Sequence, residues 1–581
     1  MKRILQILLL LCCTVGVAAA ERTVAEAIAL AEAFKHSRLT EVSRVSGRSL
    51  SENEYTLVYT VNKTGKDDAA LYVVQAGNSD GFVIVSADDC AETILGYSDE
   101  GAFNADDMPA AMRMWLDLYA EQIAWAESRQ YRAGIGTRGE TDEKIEPVKA
   151  LLSGVRWGQD KPYNSMCPKM AGANCPSGCV ATAISQIMFY WKYPTCGYGS
   201  YSYEWLNPVT QKTRILSADF GETEYDWDNI LKDYSGNYSK EQGDAVAKLL
   251  FHVGVACNMN YNYDGSGSYS MQYVPTALFN HFGYKPTTCF FLNNGVDVFK
   301  RVLINELHNA RPVYLSGSSA SAGGHAFLCD GVDEDGMFHI NWGWNGSNTG
   351  YYAITALNPG KYTASNGFNS NVSAICNIMP DYNMEYVHAD SLDIVASRFI
   401  MNNPDTTTVS KTLSFCADSV VNLGYANVGK CVYRLAIFNS NDSVVATYGD
   451  NDMSNTFYSG LVFVDYTNLN EFDFSINDIN DRLNSPLPDG EYYIKLCLDL
   501  NLKFANPIDV RIQSGPDRYP FTLSGKKVVF HDYGTTGVTR IGDSEPSVGK
   551  YYLNGRVIIR KGNSYYDVYG IPVVLGMDFN E

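Results

Sequence analysis

The chain has 581 residues, of which 45% are hydrophobic and 19% charged, and a formal net charge of −20. That length exceeds one hydrophobic core and implies about three or four domains. The acidic balance argues against nucleic acid and anionic lipid as partners, and the composition is that of ordinary globular protein. In chain order, residues 1–20 read as a secretory leader. Lys2 and Arg3 precede an apolar run over 4–17, and Ala18-Ala19-Ala20 offers a small-residue cleavage site before Glu21. Cys12 and Cys13 follow Leu9-Leu10-Leu11, which lacks the small residues of a lipoprotein site. No later stretch is long and apolar enough to span a bilayer, so the expectation is an exported protein, secreted or held at the cell surface.

Residues 21–145 form a first unit. The spacing of Val24, Ala27, Ile28 and Ala31 predicts a helix over 23–34, and short strands follow at 55–61, 71–75 and 81–86. A second helix over 108–126 carries Met112, Trp115, Leu116, Tyr119 and Ile123. The polar, glycine-containing stretch 134–144 has little to bury and reads as an exposed linker open to proteolysis. Residues 146–380 form a second unit. Over 381–545 helical periodicity fades and short alternating runs appear, at 432–438 and 492–498, the latter after the turn Pro488-Asp489-Gly490. This predicts an antiparallel, Ig-like β-sandwich. Residues 546–581 add a small β module with a hairpin at Asn554-Gly555.

The second unit holds the chemistry. Cys179 follows Pro176-Ser177-Gly178 and opens an apolar helix in which Val180, Ala183, Ile184, Ile187, Met188 and Trp191 recur at helical spacing until Pro194. A sulfur at a helix N-terminus meets the positive end of the macrodipole and unpaired N–H groups, and both favour the thiolate. Cys167, Cys175 and Cys196 bracket it, so a local disulfide stays open. Without a Cys-x-x-Cys pair or closely spaced histidines, zinc is disfavoured there.

A cysteine nucleophile requires a base, an orienting group and oxyanion donors. Of the eight histidines, His36, His388 and His531 lie outside the second unit. His252, His281 and His308 belong to helices or their ends and read as core or surface. His325 follows Gly323-Gly324, where bare backbone lets a substrate chain pass. A hairpin turning near Asp333 gives opposed residue numbers summing to about 666, which sets His325 across from Asn341. Asn341 would then hold one imidazole nitrogen, aiming the other at Cys179, with Trp342 shielding the bond from water. His339 is the rival base. Gln159 supplies an amide suited to an oxyanion, beside the Cys179 N–H.

These residues resemble the streptopain family of secreted bacterial papain-like cysteine peptidases. The resemblance covers about residues 23–380. It rests on Gly178-Cys179-Val180-Ala181-Thr182-Ala183, Gly323-Gly324-His325-Ala326-Phe327, Asn341-Trp342-Gly343-Trp344, and Gly158-Gln159 with Pro162-Tyr163-Asn164. It implies an α+β fold: a papain-like catalytic domain behind an α+β inhibitory propeptide, here with the β-sandwich as an extension. It further implies a zymogen that cuts itself within about 134–146, acts on protein or peptide substrates with no cofactor or metal, and prefers an apolar side chain two residues before the cut. The stretch Tyr314-Leu315-Ser316-Gly317-Ser318-Ser319-Ala320-Ser321-Ala322, of a kind that lines the cleft, departs from the family pattern, which has a glutamine shortly before the glycine pair. Residues beyond 380 are not covered, although the last strands faintly resemble C-terminal sorting modules. Two competing expectations are a surface adhesin with a vestigial peptidase domain, and a transglutaminase or amidase using the same thiol.

Overall fold

A computed structural model of the chain describes residues 21–46, 54–128, 145–292, 296–319, 323–357 and 372–382, then shorter segments between 394 and 567. The leader at 1–20, the linker at 134–144, His388 and the Asn554-Gly555 tip lie outside the described residues.

The first unit lays one helix on each face of a four-stranded meander. Helix α1 (Val24–Ser46) opens with a reciprocal cap. The Thr23 N–H donates to Glu26 Oε2 at 2.7 Å, and the Glu26 N–H donates back to Thr23 Oγ1 at 3.3 Å. Ala27 and Ala31 press onto Val74, Val83, Val85 and Tyr97. The helix runs well beyond the expected 23–34, and the turn after Phe34 is anchored by charge. Lys35 Nζ donates to Ser98 O at 2.8 Å and to Asp99 at 2.9 Å, and Arg38 reaches Asp333 at 3.3 Å. The strands are β1 (Tyr55–Asn62), β2 (Ala69–Ala76), β3 (Phe82–Ser86) and β4 (Ile94–Ser98). Helix α2 (Ala110–Ser128) follows, with Met112, Met114, Trp115, Tyr119 and Ile123 buried.

The second unit begins with two hairpins, β5 (Lys169–Met170) with β6 (Ala173–Asn174) and, further on, β7 (Ser200–Leu206) with β8 (Thr213–Asp219). Between them runs α3 (Cys179–Trp191), buried on every side from Val180 to Met188, as expected of a helix without a polar face. Helices α4 (Lys240–Ala256), α5 (Ser270–Phe282) and α6 (Val296–His308) surround a sheet of β9 (Thr287–Phe291), β10 (Val313–Ser319), β11 (Gly323–Val332), β12 (Phe338–Asn341), β13 (Gly350–Tyr352) and β14 (Ser373–Cys376).

One sheet crosses the unit boundary, in the order β1-β2-β3-β4-β13-β12-β11-β10-β14-β9. Its seam pairs Tyr97 with Tyr351 and Gly96 with Tyr352. Gly350 permits this approach, since a Cβ there would lie 2.4 Å from Tyr97 O. The β10–β14 sheet separates two cores. Trp115, Phe327, Trp342 and Tyr352 belong to the one shared with the first unit. Ile184, Ile187, Tyr314, Ala326 and Leu328 belong to the one around α3.

Beyond residue 394 two sheets enclose a third core that includes Phe399, Phe415, Leu435, Ile437, Leu496 and Phe521. This is the expected sandwich, and its strands Cys431–Asn439 and Gly490–Leu500 contain the two alternating runs. The segment Leu461–Phe463 pairs in parallel with β9, joining the sandwich edge to the large sheet. Strands Val548–Leu553, Arg556–Lys561 and Ser564–Asp567 form a separate small sheet.

Candidate active site

Cys179 is the first residue of α3, and Gly178 is its N-cap. The preceding loop is held from several sides. The Ser177 N–H donates to Gln159 O at 2.9 Å, Ser266 Oγ donates to Pro176 O at 2.6 Å, and Thr182 Oγ1 returns to Gly178 O at 3.0 Å. No side chain caps the helix, so its N-terminal field falls on the sulfur. Cys179 keeps partial exposure to a cavity of about 420 Å³, whose walls include His325, Ala326, Tyr314, Gly317 and residues 267–272.

The thiol itself departs from the expectation of easy ionisation. Burial pushes it above the ordinary cysteine value, and the N–H groups of Ala326, Val180 and Cys179 oppose that shift without reversing it. Strand alternation explains why the neighbour is Ala326. Ala326 and Leu328 belong to the α3 core, while Phe327 and Cys329 belong to the opposite one. His325 has the parity of the second pair and sits opposite Gly317 on β10.

The expected pairing of His325 with Asn341 is not made. Asn341 faces Leu328, three residues along β11. The turn is centred on Asp335 rather than Asp333, because Asp333 Oδ1 accepts the N–H groups of Asp335 and Met337 and so opens the turn. Asn341 Nδ2 donates to Val155 O at 2.9 Å and to Gln186 Oε1 at 3.0 Å, while its Oδ1 accepts the Gly343 N–H at 2.9 Å. The residue thereby ties the start of the second unit to α3. Nor does Trp342 cover a His–Asn bond. Its indole donates to Asn348 O at 3.0 Å, and its ring packs on Phe327 and on Trp115 of α2. Gln159 is half-buried and fixed through its backbone, with its carboxamide uncommitted among the described residues. The rival base His339 is engaged with Asp330 at 2.6 Å and lies against the Tyr351 ring. His252 and His281 are core residues that burial pushes down to about 4. Cys167, Cys175 and Cys196 are free thiols.

Helix α2 backs this site. Trp115 packs edge-on against Phe327 at 5.5 Å, and Met114 lies against Gly317, where a Cβ would come 3.1 Å from its Cε. Gln122 Oε1 accepts Thr355 Oγ1 at 2.6 Å and the Ala356 N–H at 2.7 Å.

Comparison with known proteins places these features. A model described as the Peptidase C10 family matches residues 157–352, and one described as Spi protease inhibitor matches residues 19–123. Streptopain of Streptococcus pyogenes serotype M1 is 34% identical over 341 residues, covering 55% of this chain and 83% of streptopain. The chain belongs to the peptidase C10 family. This C10 peptidase is a cysteine endopeptidase made as a zymogen, and its first unit is the propeptide. The thiol protease/hemagglutinin PrtT of Porphyromonas gingivalis is 32% identical to the peptidase over 335 residues, covering 55% of this chain and 38% of PrtT. A fragment of Prevotella intermedia prointerpain A is 31% identical, with 57% of this chain and 99% of the fragment covered at a TM-score of 0.49. The adhesin with a vestigial peptidase is not favoured by these matches.

Ser270 and Met271 on the cavity wall were not singled out from the sequence, and Tyr314 entered only as the first residue of the departing stretch 314–322.

Proposed function

We propose that Cys179 is the nucleophile of this peptidase and His325 its general base. The thiolate attacks a peptide carbonyl, the Cys179 N–H and the Gln159 carboxamide hold the oxyanion, and His325 protonates the leaving amine before water clears the acyl-enzyme. Asn341 and Trp342 act from behind, Asn341 by fixing α3 to the loop after β12 and Trp342 by packing under β11. In the docked zymogen the thiol is held above its ordinary pKa, and Ala326, not His325, has the parity that faces it. Withdrawal of α2 from the back of β10 and β11 frees that edge to turn His325 toward the sulfur. The observation that carries this reading is the shared cavity, with Cys179 on one wall and the His325-Ala326 pair on another.

The reading extends to the whole chain. Residues 1–20 direct export, 21–145 inhibit, 146–380 cleave protein or peptide substrates, and 381–545 and 546–581 are appended β units of the secreted or surface-held enzyme. Maturation is self-cleavage within about 134–146. Full-length protein incubated with a reductant should release a fragment starting in that interval and then hydrolyse casein, and the Cys179→Ala chain should do neither. Maturation of the pure alanine variant would rule out self-cleavage. Casein hydrolysis by that variant would rule out the nucleophile.

A further inference from the structure

We infer that the buried hydroxyls of Thr182 and Ser177 are positioning groups for the oxyanion site, each fixing the backbone behind one of its two donors. The proposal rests on the reading of the Cys179 N–H and the Gln159 carboxamide as those donors, and adds to it the residues that aim them.

Thr182 lies one turn into α3 and is fully buried. Its N–H and its Oγ1 each donate to Gly178 O at 3.0 Å. A threonine hydroxyl bonded four residues back is common inside helices. Here, however, the acceptor belongs to the peptide unit that ends in the Cys179 N–H. The C=O and N–H of one planar trans peptide point in opposite directions, so holding the Gly178 oxygen aims the Cys179 N–H. A hydrogen bond accepted by that oxygen also polarises the unit and strengthens its N–H as a donor.

The second donor is anchored by the other hydroxyl. The Gln159 carboxamide has no bond of its own among the described residues, so its direction is set by the backbone that carries it. Gln159 O accepts the Ser177 N–H at 2.9 Å, and Ser177 Oγ lies 3.3 Å from the same oxygen. The preceding residues are clamped as well. The Asn345 N–H donates to Trp157 O at 2.9 Å, and the Asn345 side chain leaves no room for a Cβ on Gly158. Thr182 Oγ1 is 3.4 Å from both Ser177 Oγ and Gly158 O, so the two hydroxyls link the segment carrying Gln159 to the turn carrying Cys179. Both residues are fully buried and neither lines the cavity, which leaves them to act through the donors and not on substrate.

The full chain, matured with reductant, is to be assayed on a peptide amide, with a peptide aldehyde of the same sequence, and with iodoacetamide. Amide hydrolysis and aldehyde addition both form a sulfur–carbon bond and push the carbonyl electron pair onto oxygen, where the two donors act. Alkylation forms a sulfur–carbon bond and expels iodide, so it needs the thiolate and no oxyanion donor. Thr182→Val keeps the shape and loses the hydroxyl. It should lower kcat and weaken the aldehyde about fivefold each, the worth of one net hydrogen bond, with KM and the alkylation rate unchanged. Thr182→Ser should restore both. Ser177→Ala should lower kcat severalfold in the parent and leave kcat unchanged in a Gln159→Ala background, where the donor it aims is already gone. A fall in alkylation equal to the fall in kcat would assign the hydroxyls to the thiol or to the fold and overturn the proposal. Ser177→Ala acting equally in both backgrounds would overturn it too. Parent rates in both hydroxyl variants, with Gln159→Ala slowed, overturn the proposal while the Gln159 reading stands. A Gln159→Ala enzyme as fast as the parent overturns that reading and the proposal with it.

Discussion

Gly178 stands one residue before the thiol with φ 92°, and a Cβ there would lie 2.7 Å from Met259 Sδ and 3.0 Å from Ser266 O. Both the left-handed backbone and the contact exclude a side chain. Gly178→Ala should therefore cost about 2–4 kcal/mol, the sum of a left-handed non-glycine residue and local overpacking. Urea unfolding should show the loss, and residual casein hydrolysis should fall with it, since the strain is released by moving Cys179. An alanine variant of unchanged stability would mean that Met259 yields freely and that the loop does not fix the thiol. At this scale the site was only partly legible. Cys179 stood out because an apolar run at helical spacing, ended by Pro194, has one reading. The partner of Asn341 did not, because it depended on where the hairpin turned. The side chain of Asp333 moved that turn by accepting two N–H groups, and a short shift in register changes which residue is opposed and which face it occupies.

Helix α2 is the element that links inhibition to the site. Trp115 is 1% exposed and touches both Phe327, two residues after His325, and Trp342, one residue after Asn341. Replacing a buried tryptophan by alanine costs about 3–5 kcal/mol, and here much of that loss falls on the contact between propeptide and enzyme. Trp115→Ala should mature faster than the parent when both are mixed with reductant, as followed by the appearance of the processed band. Trp115→Phe, which keeps an aromatic ring on Phe327, should lie between them. Equal maturation rates for all three would mean that α2 does not hold the β10–β11 edge in its latent form. The helix was legible from the spacing of Met112, Trp115, Tyr119 and Ile123. Its target was not, because nothing in an amphipathic pattern says which sheet receives the apolar face. The continuation of α1 past Phe34 was missed for the opposite reason, since Lys35 and Arg38, which anchor its next turn, are held by ion pairs rather than by apolar contacts.

Across the whole molecule, the propeptide is joined to the enzyme by more than packing on the cleft. Its meander continues into the catalytic sheet through β4 and β13, a pairing between residues about 250 positions apart that alternation within single strands does not encode. Next to that seam Asp333 is 5% exposed and accepts the Tyr97 hydroxyl at 2.7 Å and Arg38 at 3.3 Å, with the Arg38 guanidinium 4.2 Å above the Tyr97 ring. Burial raises the Asp333 carboxyl above its ordinary value, against the lowering pull of Tyr97, the Met337 N–H and Arg38 and with a further upward push from Asp335. The docked state thus holds this proton more tightly than a released, solvated Asp333 would. Its contribution to docking is full below the ordinary carboxyl range and is lost as pH rises through the elevated docked value. In the Cys179→Ala chain, which cannot mature, the urea midpoint for loss of the Trp115 environment should fall as pH rises from about 4 to 6 relative to Asp333→Asn in the same background. The asparagine keeps an acceptor for Tyr97 but has no proton to lose, so its profile should be flatter over that window. Parallel profiles would mean that the Arg38 charge already compensates the buried carboxylate, and that the seam between propeptide and enzyme does not respond to acidity through this group.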